Sequence, residues 1–363
     1  MKILILKPSS LGDVVQALPV LRLIKRHFPN SEVYWWIDTR FAPLIEHDPD
    51  LAGVLHFERR SWAHPSSWAR LWRTLQWVRQ QRFDWVLDLQ GLARSALFAW
   101  LANGRVTIGL DTPREAARGF YDYVVRRPSF YTHAVDWYLQ VLPWLDVPMD
   151  RPFQWLPEQP SVAAAVRHKW PVGTSRWIVL QPGARWLNKR WPADAYADLA
   201  RRFLEFDPDV RLAIMGGAED RQLGEIIVRK APQRCLDLIG RVSLPEMVEW
   251  LRLSTLMVTN DTGPMHVAAA LNIPVVALFG PTEPRRTGPY GQLVNALQLD
   301  LPCVPCLKPR CRYVRPLECL RALSPEAAFT AASRRLAQAS PLRSVRPVAP
   351  VAVPCACHRL PSC

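Results

Sequence analysis

The chain has 363 residues, 49% of them hydrophobic, and a formal net charge of +14. That length exceeds one ordinary domain and suits two, and the apolar content excludes a disordered chain. The positive excess points to an anionic partner only in part, because no acidic residue follows Glu326 whereas Arg334, Arg335, Arg343, Arg346 and Arg359 do.

Residues 3–6 read as an opening strand. Lys7-Pro8 cuts this apolar run short of a signal-peptide core. A helical pattern at 13–28 follows, then strands at 33–37 and 54–57, a helix at 67–81, and strands at 85–89 and 106–108. The stretch 146–174 is rich in proline and polar residues. Beyond it lie strands at 177–180, 212–215, 236–239, 256–259 and 275–279, with helices at 193–206, 219–230 and 243–251 between them. Continuous apolar runs with little alternation suit parallel sheets covered on both faces. Repeated strand–helix units predict an α/β fold of two Rossmann-like doubly wound domains. The expected division is a first domain over 1–155, a linker over 156–174, a second domain over 175–339 and a disordered tail over 340–363. The first strand and loop of each half echo one another: Ile3-Leu4-Ile5-Leu6-Lys7-Pro8-Ser9-Ser10 against Trp177-Ile178-Val179-Leu180-Gln181-Pro182-Gly183-Ala184. Stretches such as 273–279 fall far short of the ~20 apolar residues of a membrane span, so a cytoplasmic protein is expected, free to touch a membrane surface.

Ligands of open α/β sheets bind at the carboxyl ends of the strands, which directs attention to the loops there. Ser9-Ser10-Leu11-Gly12-Asp13 joins the first strand to the first helix. Asp13 reads either as a helix cap or as a general base facing a cleft between the domains. No G-x-G-x-x-G fingerprint is present. The loop Gln181-Pro182-Gly183-Ala184-Arg185-Trp186-Leu187-Asn188-Lys189-Arg190-Trp191-Pro192 offers cations beside a helix start and suits a diphosphate, or is an exposed basic loop. Thr259-Asn260-Asp261-Thr262-Gly263-Pro264-Met265-His266 presents a hydroxyl, backbone N–H groups and a helix dipole after a buried strand. A second polar loop, Phe279-Gly280-Pro281-Thr282-Glu283-Pro284, follows the next strand and favours a ligand over an ordinary cap.

In the first half, Arg59, Arg60, Trp62, Arg94, Arg114, Arg118 and His133 form a basic and aromatic set suited to an acidic acceptor. Cys303, Cys306, Cys311 and Cys319 fall within 17 residues. The C-x2-C spacing suits a structural zinc, but no second C-x-x-C follows, so reduced thiols packing a connecting loop are the preferred expectation.

The runs K-P-S-S-L-G-D-V-V-Q-A-L-P, P-G-A…K-R-W-P and T-N-D-T-G-P-M-H…F-G-P-T-E-P, in this order and each after a strand, resemble glycosyltransferase family 9, which contains the ADP-heptose:lipopolysaccharide heptosyltransferases. The resemblance covers about residues 1–330. L-D-L-Q-G-L-A-R-S-A and Arg114-Glu115-Ala116-Ala117-Arg118 are similar to the first heptosyltransferase, which acts on the Kdo–lipid A region, and the cysteine segment to the second. The resemblance implies a GT-B fold, with acceptor on the N-terminal domain and ADP-sugar on the C-terminal one. It implies inversion at the anomeric carbon and no cofactor or metal at the reaction centre. Asp13 matches the catalytic Asp and Lys189 the lysine on the diphosphate side. Gly183, Asp261, Thr262, Gly263 and His266 fall to the donor, with Glu219 toward the ribose and Val242 toward the adenine. Ser10, Gly12, Arg60, Arg94, Arg114 and Arg118 fall to an anionic glycolipid acceptor. Peripheral contact with the cytoplasmic face of the inner membrane fits such an acceptor. A family 9 transferase with another sugar and glycan is the alternative enzyme, and a non-catalytic glycan or nucleotide-sugar binder the alternative of another class. No motif supports nucleic-acid binding.

Overall fold

The computed structural model describes residues 1–58, 68–112, 117–150, 152–230, 232 and 234–338. Arg59, Arg60, Trp62, Arg114 and the expected tail lie outside the described residues.

Six strands form the first sheet: β1 (Lys2–Leu6), β2 (Glu32–Asp38), β3 (Gly53–Phe57), β4 (Trp85–Asp88), β5 (Val106–Leu110) and β6 (Tyr123–Val125). Six more form the second: β7 (Arg176–Gln181), β8 (Val210–Ile214), β9 (Cys235–Asp237), β10 (Ser254–Asn260), β11 (Val275–Phe279) and β12 (Ala296–Gln298). The orders are β3-β2-β1-β4-β5-β6 and β12-β11-β10-β7-β8-β9, and every printed pairing is parallel. Renumbered from its own first strand, the second sheet repeats the 3-2-1-4-5-6 order of the first. In each the order reverses beside the first strand, where a doubly wound sheet opens a crevice for ligand. This is the GT-B architecture of two Rossmann-like domains.

Apolar strands buried on both faces build three clusters. One lies on the side of the first sheet covered by the Leu11–His27 helix. It runs on through Trp155, Val166, Trp250 and Met265 to the second sheet, so the halves share apolar packing. The far side of the first sheet holds Leu4, Leu6, Trp36, Phe57 and Val86 under Val78, Phe98 and Ala99 of the Trp68–Gln81 and Ala93–Ala102 helices. The far side of the second packs Tyr196, Leu199 and Phe203 with Ala328 and Ala332.

Two strands add to the expected ten. Both β6 and β12 are three-residue edge strands, too short to give a periodic signal. The expected linker holds a helix, Pro160–Lys169, started by Pro at its first turn and with only Val166 buried. Arg252 donates to the carbonyls of Leu156 at 2.8 Å and Pro157 at 3.0 Å, and Lys169 to Glu246 at 2.9 Å, so this stretch is tied to the second half.

Arg22 ties the first helix to what surrounds it. Its buried guanidinium donates to Asp48 Oδ1 at 2.7 Å, Asp50 Oδ2 at 2.6 Å and the Trp155 carbonyl at 3.1 Å. Replacing Arg22 by Ala leaves Asp48 buried and unpaired, and should lower unfolding stability by roughly 3–5 kcal/mol. Urea titration checks this; a loss under about 1 kcal/mol would remove Arg22 as a structural tie.

Candidate active site

The Leu11–His27 helix starts directly after β1, with Ser10 as its N-cap. Asp13 occupies the third helical position. Its Oδ2 accepts from the Ser10 backbone N–H at 2.9 Å and the Ser10 hydroxyl at 2.6 Å. Its Oδ1 accepts from the Tyr138 hydroxyl at 3.2 Å. One oxygen thus does the work of a cap, while the other belongs to a tertiary contact.

Lys7 ends the first strand run, buried, with its Nζ donating to the Leu89 carbonyl at 2.7 Å and lying 4.5 Å from the Tyr138 ring centre. Burial opposes ionisation of Asp13. The Lys7 ammonium and the Ser10 bonds outweigh it and hold the carboxyl below the usual carboxylate range. Asp13 is therefore a carboxylate at neutral pH.

The Gly263–Ala270 helix of the second half meets this helix start end to side. His266 bonds Gln16 through Nδ1 at 3.2 Å. Burial pushes the His266 pKa down, against Asp261 and Asp13, so the ring is neutral at pH 7. The approach is close: a methyl group on Gly12 would sit 2.3 Å from His266 Cδ2, and one on Gly263 would sit 2.9 Å from Leu11 Cδ2. Both positions need the missing side chain rather than special backbone angles. Two helix starts, each a positive dipole end, thus converge on one point of the cleft.

The loop after β7 brings Lys189 to the same region. Its Nζ donates to Asp261 Oδ2 at 2.5 Å and lies 4.9 Å from the Trp186 ring centre; Thr282 donates to the same oxygen at 2.6 Å. Arg190 pairs with Asp220 at 3.2 Å. Gly183 leaves room for that carboxylate, since a Cβ there would sit 2.0 Å from Asp220 Oδ2. Glu219 is exposed on the turn after β8, and Val242 is half-buried beyond β9. Gly183, Lys189, Glu219, Val242, Asp261, Thr262 and Gly263 thus all follow strands of the second sheet at one edge, the placement expected of a nucleotide site.

A family model for glycosyltransferase family 9 (heptosyltransferase) matches residues 68–315. The chain belongs to glycosyltransferase family 9. It is 32% identical over 327 residues to lipopolysaccharide heptosyltransferase 1 of Pseudomonas aeruginosa, covering 86% of this chain and 88% of the relative. It is 26% identical over 328 residues to lipopolysaccharide heptosyltransferase 2 of Escherichia coli, covering 82% and 88%. Among solved structures, E. coli heptosyltransferase WaaC with ADP-2-deoxy-2-fluoro heptose aligns with TM-score 0.70 at 25% identity, over 91% of this chain and 98% of that one. A family 9 glycosyltransferase from Veillonella parvula shares the fold with TM-score 0.80 at 22% identity, over 93% and 98%.

In this family 9 glycosyltransferase, Arg94 opens the Ala93–Ala102 helix after β4 and is exposed. Arg118 follows β5 and donates to Asp111 at 2.6 Å, so part of its charge is already answered. His133 is not an open acceptor contact: it is buried, its Nε2 bonds the Gly288 carbonyl at 3.0 Å, and burial lowers its pKa to about 4. It joins the two halves instead. Tyr290 does the same, donating to Asp136 at 2.6 Å, as do Arg285 and Arg286, 3.6 and 4.4 Å from the ring centres of Tyr131 and Phe130.

The four cysteines of the transferase line one cavity of about 200 Å³ with Asn188 and Pro281. Among the described residues no group of three or more His, Cys, Asp or Glu that could hold a metal ion is found. Burial pushes the Cys319 thiol up to about 11. The segment buttresses the loops after β7 and β11: Asn188 donates to the Lys308 carbonyl at 2.7 Å and Leu307 to that of Pro281 at 2.7 Å.

Sequence reasoning did not single out Lys7, Gln16, Tyr138 or Asp220 as site residues. Lys7 carries one signal, a lone cation at the end of a buried strand. Tyr138 lies 125 residues from Asp13 with nothing local to mark it.

Gly12→Ala should push His266 aside and part the two helix starts. A shift of ~1 Å in such a site can cost about 10²-fold in rate. Steady-state assays on protein verified as folded by circular dichroism provide the check. Wild-type turnover would show that the close approach is not needed.

Proposed function

We propose that this glycosyltransferase transfers heptose from ADP-heptose to the lipopolysaccharide inner core, on Kdo-lipid A or an already heptosylated core, with inversion and without a metal ion. The observation that carries the reading is a carboxylate on one helix start facing a lysine and a second helix start across the cleft. The names of the relatives supply the sugar and the glycan. In this proposal the first domain, over 1–155, takes the acceptor through Ser10, Gly12, Arg60, Arg94, Arg114 and Arg118. The second, over 175–339, takes the donor through Gly183, Lys189, Glu219, Val242, Asp261, Thr262, Gly263 and His266. The enzyme works in the cytoplasm, at the inner face of the membrane that carries its acceptor.

The acceptor hydroxyl attacks the anomeric carbon from the side opposite the diphosphate. A bond forms from that oxygen to the carbon, the carbon–oxygen bond to the diphosphate breaks, and its electron pair leaves with ADP. Asp13 takes the hydroxyl proton. Its low pKa makes it a weak base, so the proton moves late, once bond formation has made the hydroxyl acidic. Lys189 and the Gly263–Ala270 helix start neutralise the charge growing on ADP, a role that elsewhere falls to a divalent ion.

The direct test is incubation with ADP-heptose, Kdo-lipid A and a chelator, followed by mass spectrometry of the acceptor. Transferred heptose is expected. Transfer of another sugar in its place would favour the alternative family 9 activity, and strict dependence on added magnesium or manganese would overturn the metal-free mechanism.

Asp13→Asn should lower turnover by ~10²–10⁴ while ADP affinity, read by calorimetry, stays near wild type, since a base is lost with little volume. Near-normal turnover would reduce Asp13 to its capping role. Lys189→Ala should weaken ADP binding and slow transfer together, because a cation beside the diphosphate is lost and Asp261 is left without it. Unchanged affinity and rate would remove Lys189 from the site.

A further inference from the structure

We propose that the outer face of the Trp68–Gln81 and Ala93–Ala102 helices is the surface by which the enzyme docks on an anionic phospholipid bilayer. This deepens the membrane contact named above and does not depend on which sugar is transferred.

The two helices cover the same face of the first sheet. Leu75, Val78, Phe98, Ala99 and Ala102 point inward and are buried. Outward, Trp72 is 58% exposed, Trp100 57% and Leu97 37%. Two indoles more than half in water on neighbouring helices are unusual for a surface that meets only solvent, and tryptophan is the side chain best suited to the boundary between headgroups and acyl chains.

The charges carried by the two helices themselves have one sign. Arg73, Arg79 and Arg94 are exposed on these helices. No Asp or Glu occurs anywhere from residue 59 to 83 or from 89 to 110. The Ala193–Phe206 helix of the second half differs: it mixes Arg201 and Arg202 with Asp194, Asp198 and Glu205. A basic face bearing tryptophan and leucine matches anionic headgroups above an apolar interior. Two copies of such a face would repel, which disfavours a dimer here. Among the described residues no helix is long and apolar enough to cross a membrane, so the contact is peripheral.

Placement fits the chemistry. Both helices follow strands of the first sheet, β3 and β4, and so begin at the sheet edge from which Asp13 projects after β1. The helix that carries Asp13 covers the other face of that sheet, so an acceptor would reach Asp13 around the shared edge.

The test uses the full chain, so that the tail's arginines are present in every arm. Vesicles of phosphatidylcholine with phosphatidylglycerol, and of phosphatidylcholine alone, both without glycolipid acceptor, are sedimented with the protein. Binding is expected only to the anionic vesicles, and it should weaken as salt rises. The pair Trp72→Ser and Trp100→Ser should lower partitioning about tenfold or more. The pair Arg73→Gln and Arg79→Gln should do likewise, each charge contributing separately. Both variants should keep wild-type turnover on a delipidated acceptor. Three results would overturn the proposal: no binding of wild type to anionic vesicles, variants that bind as wild type does, or tryptophan substitutions that dissociate a dimer in sedimentation velocity. Displacement of the vesicles by an oligonucleotide acting through the same residues would assign the face to nucleic acid instead. Vesicle binding without heptose transfer would sink the donor assignment and leave the docking surface standing.

Discussion

The close approach of two helix starts across the cleft is the constraint on which the rest of this molecule depends. Gly12 yields space to His266, and Gly263 yields space to Leu11. Neither glycine is needed for a turn; each is needed so that a helix of one domain can lie against the other. Two positive dipole ends brought this near would repel unless an anion shared the space. Asp13 supplies that anion. His133, Tyr290, Arg285 and Arg286 hold the facing surfaces in register from the side.

Charge in the cleft follows one pattern. Lys7 lies beside Asp13, Lys189 on Asp261, and Arg190 on Asp220. A cation taken from water needs a partner, and each of these has a carboxylate close by. The pairing also leaves the functional groups in useful states. Lys7 keeps Asp13 ionised despite its surroundings. Asp261, held by Thr282 as well, fixes where the Lys189 ammonium waits. A diphosphate entering the loop would compete with Asp261 for that ammonium, while the Thr282 bond keeps the carboxylate in place. The cysteine-bearing segment serves the same loops from behind, through Asn188 and Pro281.

Much of this was legible in the chain alone. Unbroken apolar runs at β1, β7, β10 and β11 announce buried parallel strands, because only a sheet covered on both faces tolerates them. Loops carrying Asp13, Lys189 and Asp261 each follow such a strand, and strand polarity alone sends them to the ligand edge. Short edge strands such as β6 and β12, and the Pro160–Lys169 helix inside a proline-rich stretch, leave too few buried positions for a periodic signal.

What the sequence by itself determined was local: the positions of ten strands and several helices, the repeated units that imply two doubly wound domains, and the chemical identity of the groups at each loop. Only the tertiary structure decided how those groups are used. Asp13 reads as a cap or as a base from its neighbours in sequence; in space Ser10 takes one carboxylate oxygen, and Tyr138 reaches the other from 125 residues away. His133 reads as an acceptor contact, and the fold makes it a tie between domains. A carboxylate's ionisation, a lysine's waiting partner and a glycine's necessity are set by groups far apart in sequence, and such groups meet only when the two halves close on one another.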